Sequence, residues 1–344
     1  MKNMKSKSIT AIARFAVTGL ATIFWHSAEL RAAEVYVPFA GEKSAWRDGF
    51  DRFDFAMDEE TLAITPWKAP EGEKFGVKDP AKGQRRCIVI VPKQAAPGHP
   101  WSWQGCYWDH QPQTEVELLR RGFHIAYISA NATLKPGKEW DAWYAFLTEK
   151  HGLSAKPAFI GMSRGGEYAY TWAGTHPDKV ACIYADNPGG SREMMARLGE
   201  LAANDVPLLH VCGSIDPLLG RFSSAIEGIY HEFGGRISVM IKDGAGHHPH
   251  SLRDPKPIAD FITQSVQATN SVAPVWLGSK VVKSSFYSIE NNYRDVPGEG
   301  TSITTRGALF ADCYDRYAFE LAGVEGSINV IAPKTAAEIG RAHV

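Results

Sequence analysis

Cysteine is scarce and scattered in this chain: Cys87, Cys106, Cys182, Cys212 and Cys313 stand among 344 residues. No two have the short spacing of a metal-binding pair, which excludes a zinc ribbon or a thiolate cluster. An excess of charge of one sign is also missing. Lys and Arg number 37 against 38 Asp and Glu, a formal net charge of -1. Without a basic stripe there is no footprint for nucleic acid, and without an acidic tail there is none for a basic partner. The one marked apolar run, Phe15 to Trp25, is too short to span a bilayer comfortably. It follows Lys2, Lys5 and Lys7 and precedes the small residues Ala28, Ala32 and Ala33. Residues 1–33 therefore read as a secretory leader. That implies export to the periplasm or beyond, with no stable membrane association once the leader is removed.

The remainder has an ordinary globular composition, 44% hydrophobic and 22% charged, with length for one large α/β domain and something more. From residue 80 apolar strands alternate with helical segments. Strands are expected at 87–91, 123–128, 156–160, 180–184, 207–212 and 237–241. Helices are expected near 115–121, 139–150, 167–173, 193–201, 224–233 and 257–266. Continuous apolar strands separated by helices predict an α/β fold with a mostly parallel sheet and helices on both faces. Cys87, Cys182 and Cys212 fall in those strands, where cysteine behaves as a small hydrophobe.

The segment Gly161-Met162-Ser163-Arg164-Gly165 carries the chemistry. A G-x-S-x-G sequence between a buried strand and a helix has the context of a nucleophile elbow. There the serine sits on a strained turn and its hydroxyl stands clear of the sheet. The helix N-terminus then aims free N–H groups at the reacting oxygen. A serine nucleophile needs a base, and the base needs an orienting acid, in the chain order Ser, Asp or Glu, His. Cys212-Gly213-Ser214-Ile215-Asp216-Pro217 places Asp216 at the end of a later strand. Gly244-Ala245-Gly246-His247-His248-Pro249-His250 places histidines after the last one. Asp186 is the alternative acid and His248 the alternative base.

Together, the elbow, the G-x-x-D-P turn and the G-x-G-H-x-P-H loop resemble the α/β-hydrolase superfamily of serine hydrolases over about residues 48–268. Within it the chain is similar to uncharacterised exported hydrolases found beside polysaccharide-degrading enzymes. The resemblance implies the α/β-hydrolase fold, with Ser163 as nucleophile, Asp216 as acid and His247 as base. The backbone N–H of Arg164 is expected in the oxyanion hole, with a second donor from the loop 99–108, where Trp103 or Gln104 is the candidate. Trp101 and Trp108 in that loop, with His248 and His250, are expected to line the substrate site, the aromatic rings stacking on sugar faces. His247, His248 and His250 hint at a metal, but no carboxylate or cysteine ligand stands near them in sequence, so neither metal nor cofactor is expected.

Residues 34–268 thus form the expected catalytic domain and 269–307 a linker and lead-in. Residues 308–344 read as the truncated start of a second, homologous domain, because Tyr314-Asp315-Arg316-Tyr317 echoes Phe50-Asp51-Arg52-Phe53 and Pro333-Lys334-Thr335-Ala336-Ala337 echoes Pro92-Lys93-Gln94-Ala95-Ala96. The expected activity is hydrolysis of an acyl or methyl ester of a carbohydrate. A serine peptidase of the same fold and a non-catalytic binding protein are the alternatives.

Overall fold

The computed structural model describes residues 36–69, 80–131 and 135–270, together with the backbone of three later strands. The expected leader, residues 1–33, lies outside the described residues. No helix among the described residues is long and apolar enough to cross a membrane.

The first strands are β1 (Lys43–Trp46), β2 (Phe50–Asp58), β3 (Ile64–Pro66) and β4 (Gln84–Val91). They form an antiparallel flank in which β2 pairs with β1, β3 and β4. A parallel block follows: β5 (Trp101–Gly105), β6 (His124–Ile128), β7 (Ala158–Met162), β8 (Cys182–Asp186), β9 (Leu208–Gly213) and β10 (Ile237–Lys242). In space its order is β6-β5-β7-β8-β9-β10, and β4 joins it antiparallel to β6. Every residue of β5 to β9 is buried, as a sheet covered on both faces requires. The covering helices are α1 (Gln113–Arg120), α2 (Lys138–Ala145), α3 (Arg164–Thr175), α4 (Arg192–Met195), α5 (Leu198–Ala203), α6 (Ser224–Glu232) and α7 (Lys256–Asn270). Two apolar clusters result, one around Trp103, Trp140, Phe159 and Trp172, the other around Ile88, Ile125, Tyr184 and Ile262.

The chain runs from β5 outward to β6 and then returns past β5 to β7. The reversal leaves a crevice at the carboxyl ends of β5 and β7, the place where ligands enter open α/β sheets. Ser163 follows the last residue of β7 at that crevice.

Three differences from the sequence reading stand out. Trp101–Gly105 is a central strand, not a loop. Its mixture of Trp, Ser and Gln hid the period, because both faces are buried and no polar face is left to alternate. The helix expected near 193–201 is split into α4 and α5. Within the span expected as a linker, β11 (Ile303–Gly307) pairs antiparallel with β10 at the sheet edge, while 271–302 lies outside the described residues. Further on, β12 (Asp315–Leu321) pairs antiparallel with β13 (Val324–Val330). The expected start of a second domain, residues 308–344, otherwise falls outside the described residues.

One buried group sets a pH dependence of stability. Glu115, in the first turn of α1, is only 3% exposed, and burial pushes its carboxyl up to about 8. The unfolded chain releases this proton from about pH 4.5, whereas the folded chain keeps it until about pH 8. Stability is therefore lost as pH rises through that window. Glu115→Gln should stabilise the protein at pH 8 by on the order of 3 kcal/mol and make little difference near pH 4.5. Denaturant melts at both pH values check this, and a mutant with the pH profile of the wild type would refute it.

Candidate active site

Ser163 has φ 50 and ψ -119, a conformation that a residue with a side chain seldom adopts. The turn is possible because its flanks are glycines. A Cβ on Gly161 would stand 2.7 Å from the Cα of Gly166, and one on Gly165 would stand 2.8 Å from the carbonyl oxygen of Gly105. The elbow thus packs directly on the end of β5. The Ser163 carbonyl accepts from the N–H groups of Gly166 and Gly189, which holds the turn from both sides.

His247 reaches the serine from the loop after β10. Its Nε2 is 3.0 Å from Ser163 Oγ, and its Nδ1 is 2.8 Å from Asp216 Oδ2. Asp216 is 4% exposed and follows β9. Its other oxygen accepts from the N–H of Leu218, so this carboxylate has one oxygen for the loop and one for the imidazole. Serine, imidazole and carboxylate come from the ends of β7, β10 and β9, and the fold joins them in one line of hydrogen bonds. This is the arrangement in which an imidazole can take a hydroxyl proton while the carboxylate holds its tautomer and balances the imidazolium.

Asp186, the alternative acid, is elsewhere engaged. Its Oδ1 is 2.8 Å from His250 Nδ1 and 3.5 Å from Lys242 Nζ; its Oδ2 accepts from Tyr184 and from the N–H of Ser251. Burial opposes the charge, but Lys242, His250 and Tyr184 outweigh it and hold the carboxyl down at about 2. His248, the alternative base, is exposed, and its ring lies 5.1 Å from that of His247, which holds the contact with Ser163. Burial holds both His248 and His110 below the ordinary histidine value.

Asn187 ties the loops together, a role that the sequence did not signal. Its Nδ2 donates to the His247 carbonyl at 2.9 Å, and its Oδ1 accepts from the N–H of Gly213 at 2.8 Å. One side chain thus spans the His247 loop and the end of β9, which Asp216 follows. Lys242 Nζ donates to the carbonyl of Pro249 at 2.5 Å.

The tryptophans expected at the site are in the core. Trp101 begins β5, at the end away from Ser163, and its Nε1 donates to Ser154 O. Trp103 is stacked on Trp140 at 4.7 Å, and Trp108 packs against Trp46 and Tyr127. Trp103 and Gln104 lie inside β5 between β6 and β7, so their backbone N–H groups belong to the sheet ladder and do not face the crevice. The first residues past β5 are Cys106 and Tyr107, with φ 64 and 52. Arg164, exposed, opens α3, where the first N–H groups have no intrahelical partner. His250 is buried against Asp186. Cys87, Cys106, Cys182 and Cys212 are all buried, and burial pushes Cys106, Cys182 and Cys212 up to about 12.

No family model and no curated protein matches the chain. Among solved structures it is similar to a ferulic acid esterase, at 15% identity and a TM-score of 0.40, over 54% of this chain and 92% of that one. It is also similar to an S-formylglutathione hydrolase from Staphylococcus aureus, at 16% identity and a TM-score of 0.43, over 58% of this chain and 100% of that one. A third is the esterase domain of a Rhodothermus marinus protein, at 14% identity and a TM-score of 0.42, over 64% and 99%. A mixed sheet with a strained serine turn at the switch point, the Asp216 loop after β9 and the His247 loop after β10 is the α/β-hydrolase fold.

Proposed function

We propose that this protein is a serine hydrolase that cleaves carboxylic esters, with Ser163 as nucleophile, His247 as base and Asp216 as orienting acid. The observation that carries the reading is the continuous contact from Asp216 through His247 to a serine held in a strained elbow. Strain of this kind persists only where the surroundings enforce it, and it clusters at functional turns.

In the proposed reaction Ser163 Oγ attacks the ester carbonyl carbon as His247 Nε2 takes its proton. The negative charge gathers on the carbonyl oxygen. The N–H of Arg164 is one donor to that oxygen. For the second, Cys106 or Tyr107 replaces Trp103 and Gln104, because they are the first residues beyond β5 at the same edge. Collapse returns the proton from His247 to the leaving alcohol and leaves an acyl group on Ser163. Water then repeats the sequence, with His247 again as base, and releases the acid.

For the substrate we propose an acyl or methyl ester of a carbohydrate. With Trp101, Trp103 and Trp108 in the core, stacking no longer supports this. The support is the polar character of the mouth, where Arg164 and His248 are exposed and suit a hydroxyl-rich substrate. Export of the mature chain belongs to the same proposal and rests on the sequence of residues 1–33.

Ser163→Ala should reduce hydrolysis of a p-nitrophenyl ester by about 10⁴-fold or more, since members of such a unit fail together. Undiminished activity in the folded variant would end the serine mechanism. A panel of acetylated sugars, methyl uronates and peptide anilides then tests the substrate; turnover of anilides alone would favour a peptidase.

Asp216→Asn should cost almost as much in kcat, with stability little changed. Asp186→Asn should behave in the opposite way. It leaves Lys242 buried without its charge partner, a change that typically costs about 3–5 kcal/mol, while the Asp216–His247–Ser163 contacts persist. Measuring kcat/KM and the denaturation midpoint for both variants separates the roles. The reverse ranking would move the acid to Asp186.

A further inference from the structure

Beside the Ser163 line lies a second cluster, of three histidines that take no part in the proposed proton transfers. His110, from the loop after β5, meets His248 and His250 from the loop after β10. One ring nitrogen from each lies within 4.8 Å of the other two. The rings stand nearly perpendicular, with centroids 4.8 Å apart for His248 and His250, 5.8 Å for His110 and His250, and 6.0 Å for His110 and His248. The sequence grouped His247 with His248 and His250; the fold instead gives His247 to Ser163 and brings His110 from 138 residues upstream of His248.

We propose that His110, His248 and His250 form a binding site for one borderline-soft divalent cation of the zinc, cobalt or nickel class. Three imidazoles with no oxygen donor suit these ions, and do not suit magnesium or calcium. Two further observations support it. The buried His250 is oriented by a carboxylate: its Nδ1 is 2.8 Å from Asp186 Oδ1, which leaves Nε2 as its ligating atom. A carboxylate behind a histidine is the usual support of a metal-bound imidazole, fixing its tautomer and ring plane. The two loops are also already joined next to the cluster, because the N–H of His250 donates to Gln111 Oε1 at 2.6 Å. Lys242, the cation packed beneath the loop, is paired with Asp186 and the Pro249 carbonyl, so its charge is balanced locally.

Bonds of about 2.0–2.1 Å in a tetrahedral site need nitrogens about 3.4 Å apart. Side-chain rotation of the exposed His248 and the partly exposed His110 supplies that closure, while His250 stays fixed. The three ligands leave a fourth position for water. An ion there joins the loop of His110 to the loop that carries His247 and fixes the base loop from its outer side.

Cation binding at these histidines is independent of ester hydrolysis and is measured without an activity assay. The full chain without a polyhistidine tag, stripped with chelator, is titrated with zinc sulfate by calorimetry and with cobalt chloride by visible absorption. One zinc per chain is expected in the wild type and equally in Ser163→Ala, with a raised Tm, a d–d absorption band with cobalt, and no heat from magnesium chloride. Asp186→Asn should weaken zinc about 10–100-fold, and His248→Ala and His110→Ala should weaken it further. His248 is exposed, so its replacement leaves the fold intact. No binding in the wild type, or zinc affinity unchanged in either His248→Ala or His110→Ala, would overturn the site.

Discussion

The close approach of three backbones at Ser163 is the constraint on which the rest of the site depends. Gly161 lies against Gly166, Gly165 lies against Gly105, and Ser163 between them is forced to φ 50. With any bulkier residue at those glycines, α3 could not start directly above the end of β5. The same approach brings the first N–H groups of α3 and the residues after β5 to one point. A single steric condition therefore sets the position of the hydroxyl and the position of the amides around it. The unfavourable backbone angle is held by the hydrogen bonds of the Ser163 carbonyl and by the packing of α3 on the sheet.

Around that fixed point the loops are held by polar groups that water does not reach. Asp186 and Lys242 are fully buried, and each makes a second contact with the loop from His247 to Ser251. Asn187 joins the same loop to the end of β9. Two carboxylate–imidazole pairs result, side by side but with different surroundings. Asp216–His247 faces the serine, with the imidazole partly open to solvent. Asp186–His250 is closed off and charge-balanced. A buried ion pair contributes little net stability over an apolar pair, but losing one partner is costly. In this protein the Asp186 group serves the geometry of the loop.

The alternation of apolar strands and helices, the glycine-flanked turn at Ser163 and the chain order of Ser163, Asp216 and His247 were all legible in the residues themselves. Period and local motif decide these without reference to distant contacts. Asp216 and His247 could be chosen over Asp186 and His248 only as expectations, because each rival is adjacent to a strand end too. What failed was the reading of 101–108. A central strand buried on both faces shows no alternation, so Trp101, Trp103 and Gln104 looked like loop residues and binding groups. Side-chain chemistry suggested stacking on a sugar; the sheet register uses the same rings for the core.

By itself the sequence determined the fold class, the strained turn at Ser163 and the strand ends that Ser163, Asp216 and His247 follow. These follow from short-range rules: glycine spacing, apolar runs and the residues that close them. Only the tertiary structure decided which histidine meets the serine, that Asp186 serves His250, that Asn187 spans two loops, and that His110 joins His248 and His250. Each of those contacts links residues 26 to 140 positions apart, and a separation of that size carries no signal in a single chain until the sheet order brings the strand ends together.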